Sequence, residues 1–286
     1  MLAVHNTHST SVIPPQPQGL ENQDSNSIKR NVTSAGNSSE SFSTAANSPP
    51  TNNTDSLSIT IPKQIHRAPL KERRTLKAKQ ILTLTRALFK GSPYKSDNKI
   101  TSCTTLEEWS AKINSINKVR ASGTLEKQLE HAIASKSGNC GEMACLAYIF
   151  WYQIGLWPEM IEYDPTKGTF DHQACVIKIG IEDFVIDPWA NILCRLEEHI
   201  DALANKVKQW ESQEKHVVPR FFYAMTQDNI PGKEFMQRYA TTEEHIRHLR
   251  LTARYEHKEL ERLANTDFFL KITKDLEQNP TRQLEI

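Results

Sequence analysis

Hydrophobic positions are spread unevenly along the chain, and the unevenness divides it. From Met1 to about Ile61 large apolar side chains are scarce among Ser, Thr, Asn, Gln and Pro, as in Asn31-Val32-Thr33-Ser34-Ala35-Gly36-Asn37-Ser38-Ser39-Glu40. Such a stretch buries too little surface to offset its ordering entropy, so residues 1–62 are expected to form a disordered leader. Over Arg67 to Lys90, apolar Leu70, Ile81, Leu82, Leu84, Leu88 and Phe89 oppose Lys71, Arg73, Arg74, Lys77 and Lys79. This predicts a basic amphipathic helix, closed by Gly91-Ser92-Pro93. Thr104 and Thr105 stand three residues before Glu107 and Glu108, a capping-box signature for a helix through Trp109, Ile113, Ile116 and Val119. A further helix is expected from Thr124 to Ala134, and a long apolar one from Cys140. Short β-type runs follow at Met160 to Tyr163, Gln173 to Ile179 and Phe184 to Ile186, separated by Pro, Gly and Asp turns. Helical spacing returns over Leu196 to Trp210 and over Thr242 to Leu263, the latter with Ile246, Leu249, Ala253, Leu260 and Leu263 on one stripe. The expected architecture is α+β: residues 63–278 form one domain in which a helix packs on a small antiparallel sheet with helices on either side. Residues 279–286 are expected to be a tail.

Composition narrows the class. The 286 residues are 38% hydrophobic, low for a chain folded throughout, and 35 basic against 34 acidic residues leave a net charge of +1. No global field pulls the protein onto nucleic acid or a membrane, so any such contact must be local. The basic helix at 67–90 could touch anionic lipid peripherally, although a solvated helix face is the simpler account. The most apolar run, Ala144 to Trp157, is short of the ~20 residues that span a bilayer. The N-terminal residues lack a basic start followed by an apolar core, so no Sec-type signal is expected. Five cysteines, an odd number in a chain this long, argue against a disulfide framework and for a reducing compartment. No Gly-rich phosphate loop and no CxxC pair occurs, and no cofactor or metal is expected. His245 and His248 lie at i and i+3, but without a third ligand nearby they read as a solvated helix face.

Three segments carry chemistry. In Ser137-Gly138-Asn139-Cys140-Gly141-Glu142-Met143-Ala144, a Gly-rich turn puts a cysteine at the first turn of an apolar helix, where the helix dipole and unpaired N–H groups favour a thiolate. In Asp171-His172-Gln173-Ala174-Cys175-Val176-Ile177, a histidine opens a strand and can face that helix start as base and then acid. In Phe184-Val185-Ile186-Asp187-Pro188-Trp189-Ala190, a carboxylate ends the next strand, where it can fix the imidazole tautomer. From His172 to Asp187 is 187 − 172 = 15 residues, the length of a strand, a turn and a strand, so the two can be neighbours on an antiparallel pair. Cys145, Cys175 and Cys194 sit in apolar runs and read as core, and Cys103 as inert or superficial. Glu142 and Asp171 read as helix caps or surface carboxylates beside the trio. Trp189 is expected to pack beneath the Asp187 turn and to wall the pocket.

Gly-x-Cys-x-x-x-Ala, then Asp-His before a strand, then Val-Ile-Asp-Pro-Trp, resembles the papain/transglutaminase-like cysteine superfamily. Within it the likeness is to secreted bacterial effectors and toxins with a Cys-His-Asp triad, among them YopT-like proteases and glutamine deamidases of mitogenic-toxin type. The separation 172 − 140 = 32 residues is similar to the compact deamidase cores. The resemblance implies a papain/transglutaminase-like fold and a secreted effector that acts on a host protein in reducing host cytosol. It implies hydrolysis of a carboxamide through a Cys140 thioester. A glutamine side chain is the favoured substrate, a peptide bond the runner-up, and acyl transfer or an inactive interaction module the further alternatives. Where papain-type enzymes carry an oxyanion Gln six residues before the cysteine, this chain has Ala134, which puts that part of the pattern in doubt. The Cys140 amide and the Asn139 side chain are the expected substitutes.

Overall fold

The computed structural model describes residues 69–93, 95–101, 104–167, 170–218 and 240–278. The expected leader, the expected tail and Cys103 lie outside them. In chain order the elements are α1 (Leu70–Ala87), β1 (Lys99–Thr101), α2 (Leu106–Arg120), α3 (Leu125–Ser135), α4 (Cys140–Gln153), β2 (Glu159–Pro165), β3 (His172–Ile179), β4 (Glu182–Asp187) and β5 (Ile192–Arg195). After a 3-10 turn at Leu196–Glu198 come α5 (His199–Glu211), β6 (Lys215–Val217), α6 (Glu243–Arg247), β7 (Leu249–Tyr255), α7 (Lys258–Ala264) and α8 (Asp267–Gln278). Five strands form one antiparallel sheet in the order β5-β4-β3-β2-β7, and β1 pairs with β6 in a separate two-stranded ribbon. The fold is α+β, as the hydrophobic pattern predicts.

The helix starts follow from local chemistry. Thr105 Oγ1 accepts from the Glu108 amide while the Glu108 carboxylate accepts from the Thr105 amide, closing the expected capping box. Thr124 caps α3 in the same manner through the Lys127 amide. At α4 the Glu142 carboxylate accepts from the Asn139 amide at 2.8 Å and is forked by the Arg120 guanidinium. From Glu142 to Trp151 every α4 residue is buried. A helix apolar all round must be wrapped: β3 lies on one side, and α1, α3, α7 and α8 pack on the rest.

The segment from Thr242 to Leu263 departs from the expected continuous helix. It breaks into α6, strand β7 and α7, with β7 paired to β2 along one edge of the sheet. Leu249-Arg250-Leu251-Thr252-Ala253-Arg254-Tyr255 alternates apolar and polar, a period of two that coexists with the period near 3.6 carried by Leu249 and Ala253. The open backbone edge of β2 decided between them, because strand pairing satisfies its exposed N–H and C=O groups. Strands β1, β5 and β6 are too short to signal themselves in the sequence. Helix α1 turns most of its apolar face inward: Ala78, Ile81, Leu82 and Leu84 are buried, while Lys71 and Lys79 are exposed together with Leu70 and Glu72. No helix among the described residues is long and apolar enough to cross a membrane.

Candidate active site

Strands β3 and β4 pair with Cys175 opposite Ile186, which brings the start of one strand beside the end of the other. That register puts His172 and Asp187 together at one end of the sheet. His172 Nε2 donates to Asp187 Oδ2 at 2.8 Å, and both side chains are fully buried. Asp187 Oδ1 accepts from the Ala190 amide at 2.9 Å, so the turn after β4 folds back to fix the carboxylate. Across from this pair, α4 begins at Cys140. Its first turn approaches β3 so closely that a Cβ at Gly141 would stand 2.6 Å from Gln173 Oε1. A Cβ at Gly138 would meet Phe89 and Glu142 at 3.0 Å, so glycine is what lets the turn before Cys140 seat against the end of α1.

The third member completes the arrangement. His172 Nδ1 is buried and makes no hydrogen bond of full geometry, while the Cys140 thiol approaches the same ring and acts on its basicity. Cys140, at the start of α4, thus acts on the imidazole whose Nε2 donates to the carboxylate. Loose nucleophile-to-base contacts of this kind are common in unliganded sites. Cys140 is the one member partly open to solvent. Trp189 packs on the His172 ring with centroids 5.3 Å apart, and Phe170 stacks on the same ring at 5.7 Å and also meets Trp189 at 5.7 Å. Trp189 thus does pack beneath the Asp187 turn and walls a cleft, although that cleft does not reach the Cys140 sulfur.

Electrostatics follow from burial and pairing. Burial by itself penalises the His172 imidazolium, but the Asp187 charge, their hydrogen bond and the Cys140 thiol outweigh it and raise the pKa from 6.5 to about 10. Burial also opposes ionisation of Asp187, yet His172 and His199 hold its carboxyl well below 3.8. His199, which the helical reading of 196–210 did not single out, sits 3.4 Å from Asp187 Oδ2 through Nε2 and 3.1 Å from the Tyr163 hydroxyl through Nδ1. Burial lowers its pKa, keeping it neutral against the ion pair. Its signal was a histidine on the buried stripe His199, Leu203, Ala204, Val207, Trp210 of α5.

Stability should track these shifts. Asp187, depressed when folded, contributes above 3.8 and loses that contribution as pH falls through its folded value. His172, raised, contributes in full below 6.5 and loses it progressively toward about 10. Neutral His199 works in the opposite sense and costs stability below 6.5. The part of the urea stability that comes from His172 is therefore expected to be full below 6.5 and to decline on the alkaline side, opposed by Lys95 and Lys99, whose lowered pKa values add stability as pH rises. His172→Gln should flatten that alkaline decline, and an unchanged slope would remove the assigned pairing.

One expectation is corrected. The Asn139 side chain is not available as an oxyanion donor: it is buried, Nδ2 donates to Asp97 Oδ1 at 2.6 Å, and Oδ1 faces the Ser96 hydroxyl at 2.8 Å. Ser96 Oγ in turn accepts from Trp189 Nε1 at 3.1 Å, so Asn139 ties the start of α4 to the Asp187 turn. The N–H groups of Cys140 and Gly141 remain as donors, since first-turn amides have no partner within a helix. Glu142 is a cap paired with Arg120, Asp171 is exposed, and His245 caps α6 from Nδ1. Cys145 and Cys175 are buried in the core and Cys194 is half-buried against it.

His172, Asp187 and His199 also form the one group among the described residues whose ligand atoms lie close enough, within 4.8 Å, to hold a metal ion. Two imidazoles and a carboxylate suit a divalent cation. All three are closed to solvent, which would make such a site structural, with no open position for a substrate. The same atoms make the His172–Asp187 hydrogen bond, beside which Cys140 acts on the His172 ring. No protein-family model, curated protein or solved structure matches the chain, so the assignment of this site rests on its own geometry.

Proposed function

We propose that the chain is a cysteine-dependent amide hydrolase of papain/transglutaminase-like type, acting on a glutamine side chain of a protein substrate. The observation that carries the reading is the buried His172–Asp187 hydrogen bond at 2.8 Å with the Cys140 thiol on the same imidazole. Cys140 Sγ, its proton already held on His172, attacks the carboxamide carbon as the thiolate, giving a tetrahedral oxyanion within reach of the first-turn amides of α4. Collapse breaks the C–N bond, and ammonia leaves with the proton from His172. His172 then deprotonates a water that attacks the thioester, releasing the carboxylate and restoring the thiolate. Asp187 holds the ring orientation and supports its charge throughout. The compact spacing of Cys140 and His172 favours side-chain deamidation over peptide cleavage.

The chain is read further as a secreted bacterial effector working in the reducing cytosol of a host cell. The Ser/Thr/Asn-rich composition of residues 1–62 supports this, as do the unpaired thiols of the four described cysteines. Intact-mass analysis of host-cell proteins incubated with the chain tests the activity: a target that gains about 1 Da, unchanged by Cys140→Ala protein, marks deamidation. Fragments in place of that gain would mark proteolysis, and neither change would remove the hydrolase reading.

Thiol labelling gives a second, substrate-free test. Burial pushes the Cys145 and Cys194 thiols up to about 12 and that of Cys175 well above its ordinary range, so these three hold almost no thiolate at neutral pH. Iodoacetamide at pH 7 is expected to modify Cys140 at least tenfold faster than Cys145, Cys175 or Cys194, read by peptide mass mapping. Equal rates would show that nothing in the site distinguishes Cys140.

A further inference from the structure

A cleft of about 380 Å³ borders the Asp187 turn, and Cys140 is not among the residues that line it. Six basic side chains line it: Arg86, Lys95, Lys99, Lys112, Lys206 and Lys215. They come from the end of α1, the loop after it, β1, α2, α5 and β6, so no single charged surface accounts for them. Their convergence is built by strand pairing, since Lys99 and Thr101 share one face of β1 and Thr101 lies directly opposite Lys215. No carboxylate lines the cleft among the described residues, and none of the six forms a salt bridge there. All six are half-buried, so water screens them less than it would an exposed patch.

The cost of this arrangement is visible in the groups themselves. Burial, then Arg86 and Lys215, lower the Lys95 pKa to about 8. Burial lowers Lys99 much further, opposed by Asp187 and assisted by Lys215, Arg86 and Lys95. Asp187, the nearest balancing charge, is already committed to His172 and His199. In a chain of net charge +1, six basic groups gathered around one small volume hold all their protons only when an external counter-charge is present. The indole rings supply a second recognition element. Trp189 and Trp210 meet edge to face at 5.3 Å, and Lys99 Nζ lies 3.6 Å from one ring centroid and 4.1 Å from the other.

We propose that this cleft is a binding site for a small, multiply phosphorylated molecule, of the class that includes inositol polyphosphates and nucleoside triphosphates. The volume suits one such molecule, and six cations match several phosphate groups, which single-point charges on lysine and the fork of Arg86 bind through charge-assisted hydrogen bonds. Arg86 donates to the Pro188 carbonyl at 2.7 Å and Lys99 to the Trp189 carbonyl at 2.5 Å, so the site borders the turn that holds Asp187 while sharing no residue with the trio. The proposal is independent of the hydrolase reading.

The test is calorimetric titration of the full chain, at about 0.15 M salt, with inositol hexakisphosphate in one arm and ATP in the other. One-to-one saturable binding is expected to at least one probe, with a change in tryptophan fluorescence from Trp189 and Trp210. The arm that binds identifies the source of the phosphates. Lys95→Ala and Lys215→Gln are each expected to weaken binding roughly tenfold or more, whereas Lys79→Ala, on the exposed side of α1, and Cys140→Ala should leave it unchanged. Absence of binding in both arms would overturn the proposal, as would equal weakening by Lys79→Ala. So would tighter binding of an RNA 20-mer or of phosphoinositide vesicles than of either small probe. Should a cleft variant fail to fold, the stoichiometry and fluorescence response of the unaltered chain still decide the matter.

Discussion

Replacing Cys140 by alanine is expected to lower amide hydrolysis by roughly 10⁴-fold or more, because in the proposed mechanism the residue forms the covalent bond and no other described thiol is placed to substitute. The substitution removes one half-buried sulfur at a helix start, so the urea midpoint should move little. Ammonia release measured beside urea unfolding separates the two effects. His172→Ala should fall to the same activity floor, and the double variant should be no worse than either, since the pair acts as a unit. If Cys140→Ala retained more than about a hundredth of the activity, the chemistry would have to lie elsewhere.

The second large effect is structural and catalytic at once. Asp187 is fully buried and accepts from His172, His199 and the Ala190 amide. Asp187→Ala leaves a buried imidazolium without its counter-charge and a backbone amide without its acceptor, and is expected to cost about 3–5 kcal/mol. Asp187→Asn retains the shape and the contact from the Ala190 amide, so it should cost less stability while losing orientation of the His172 ring. Its activity is expected to drop by about 10⁴-fold. A urea titration of both variants, paired with the activity assay, checks the ordering. An Asp187→Ala protein as stable as the unaltered chain would mean that the carboxylate is not the counter-ion of His172. Exposed pairs such as Lys71–Glu182 or Arg247–Asp201 offer no comparable effect, because water screens them.

Much of the site was legible because its chemistry is written in local context. A cysteine after Ser137-Gly138-Asn139, a histidine opening an apolar strand and an aspartate closing the next each carry their own turn or strand signal. The spacing from His172 to Asp187 fits a hairpin, which short-range backbone geometry enforces, and the β3–β4 register brings both to one end of the sheet. Glu142 and the Thr105–Glu108 box were readable for the same reason, since capping links residues three apart.

What escaped depends on residues distant in sequence. Asn139 looked like an oxyanion donor until Ser96 and Asp97, some forty positions earlier, claimed its amide. His199 looked like one more helical residue until the fold of α5 against the sheet put its ring on Asp187. The strand β7 was hidden behind a helical period, because its sequence satisfies both and only the open edge of β2 decides. The basic cleft was the least visible. Its six charges are scattered from Arg86 to Lys215 in a chain of nearly balanced composition, and no window contains more than a few of them.

The sequence by itself determined the helices with caps and the strands that hold His172 and Asp187, and it placed Cys140 at a helix start, since each is set by interactions over a few residues. The tertiary structure decided which polar groups are already spent, which imidazole stands behind the carboxylate, and where positive charge accumulates. Those depend on burial and on through-space distance, and both are fixed only when β1, α5 and the 95–98 loop are packed around the end of the sheet.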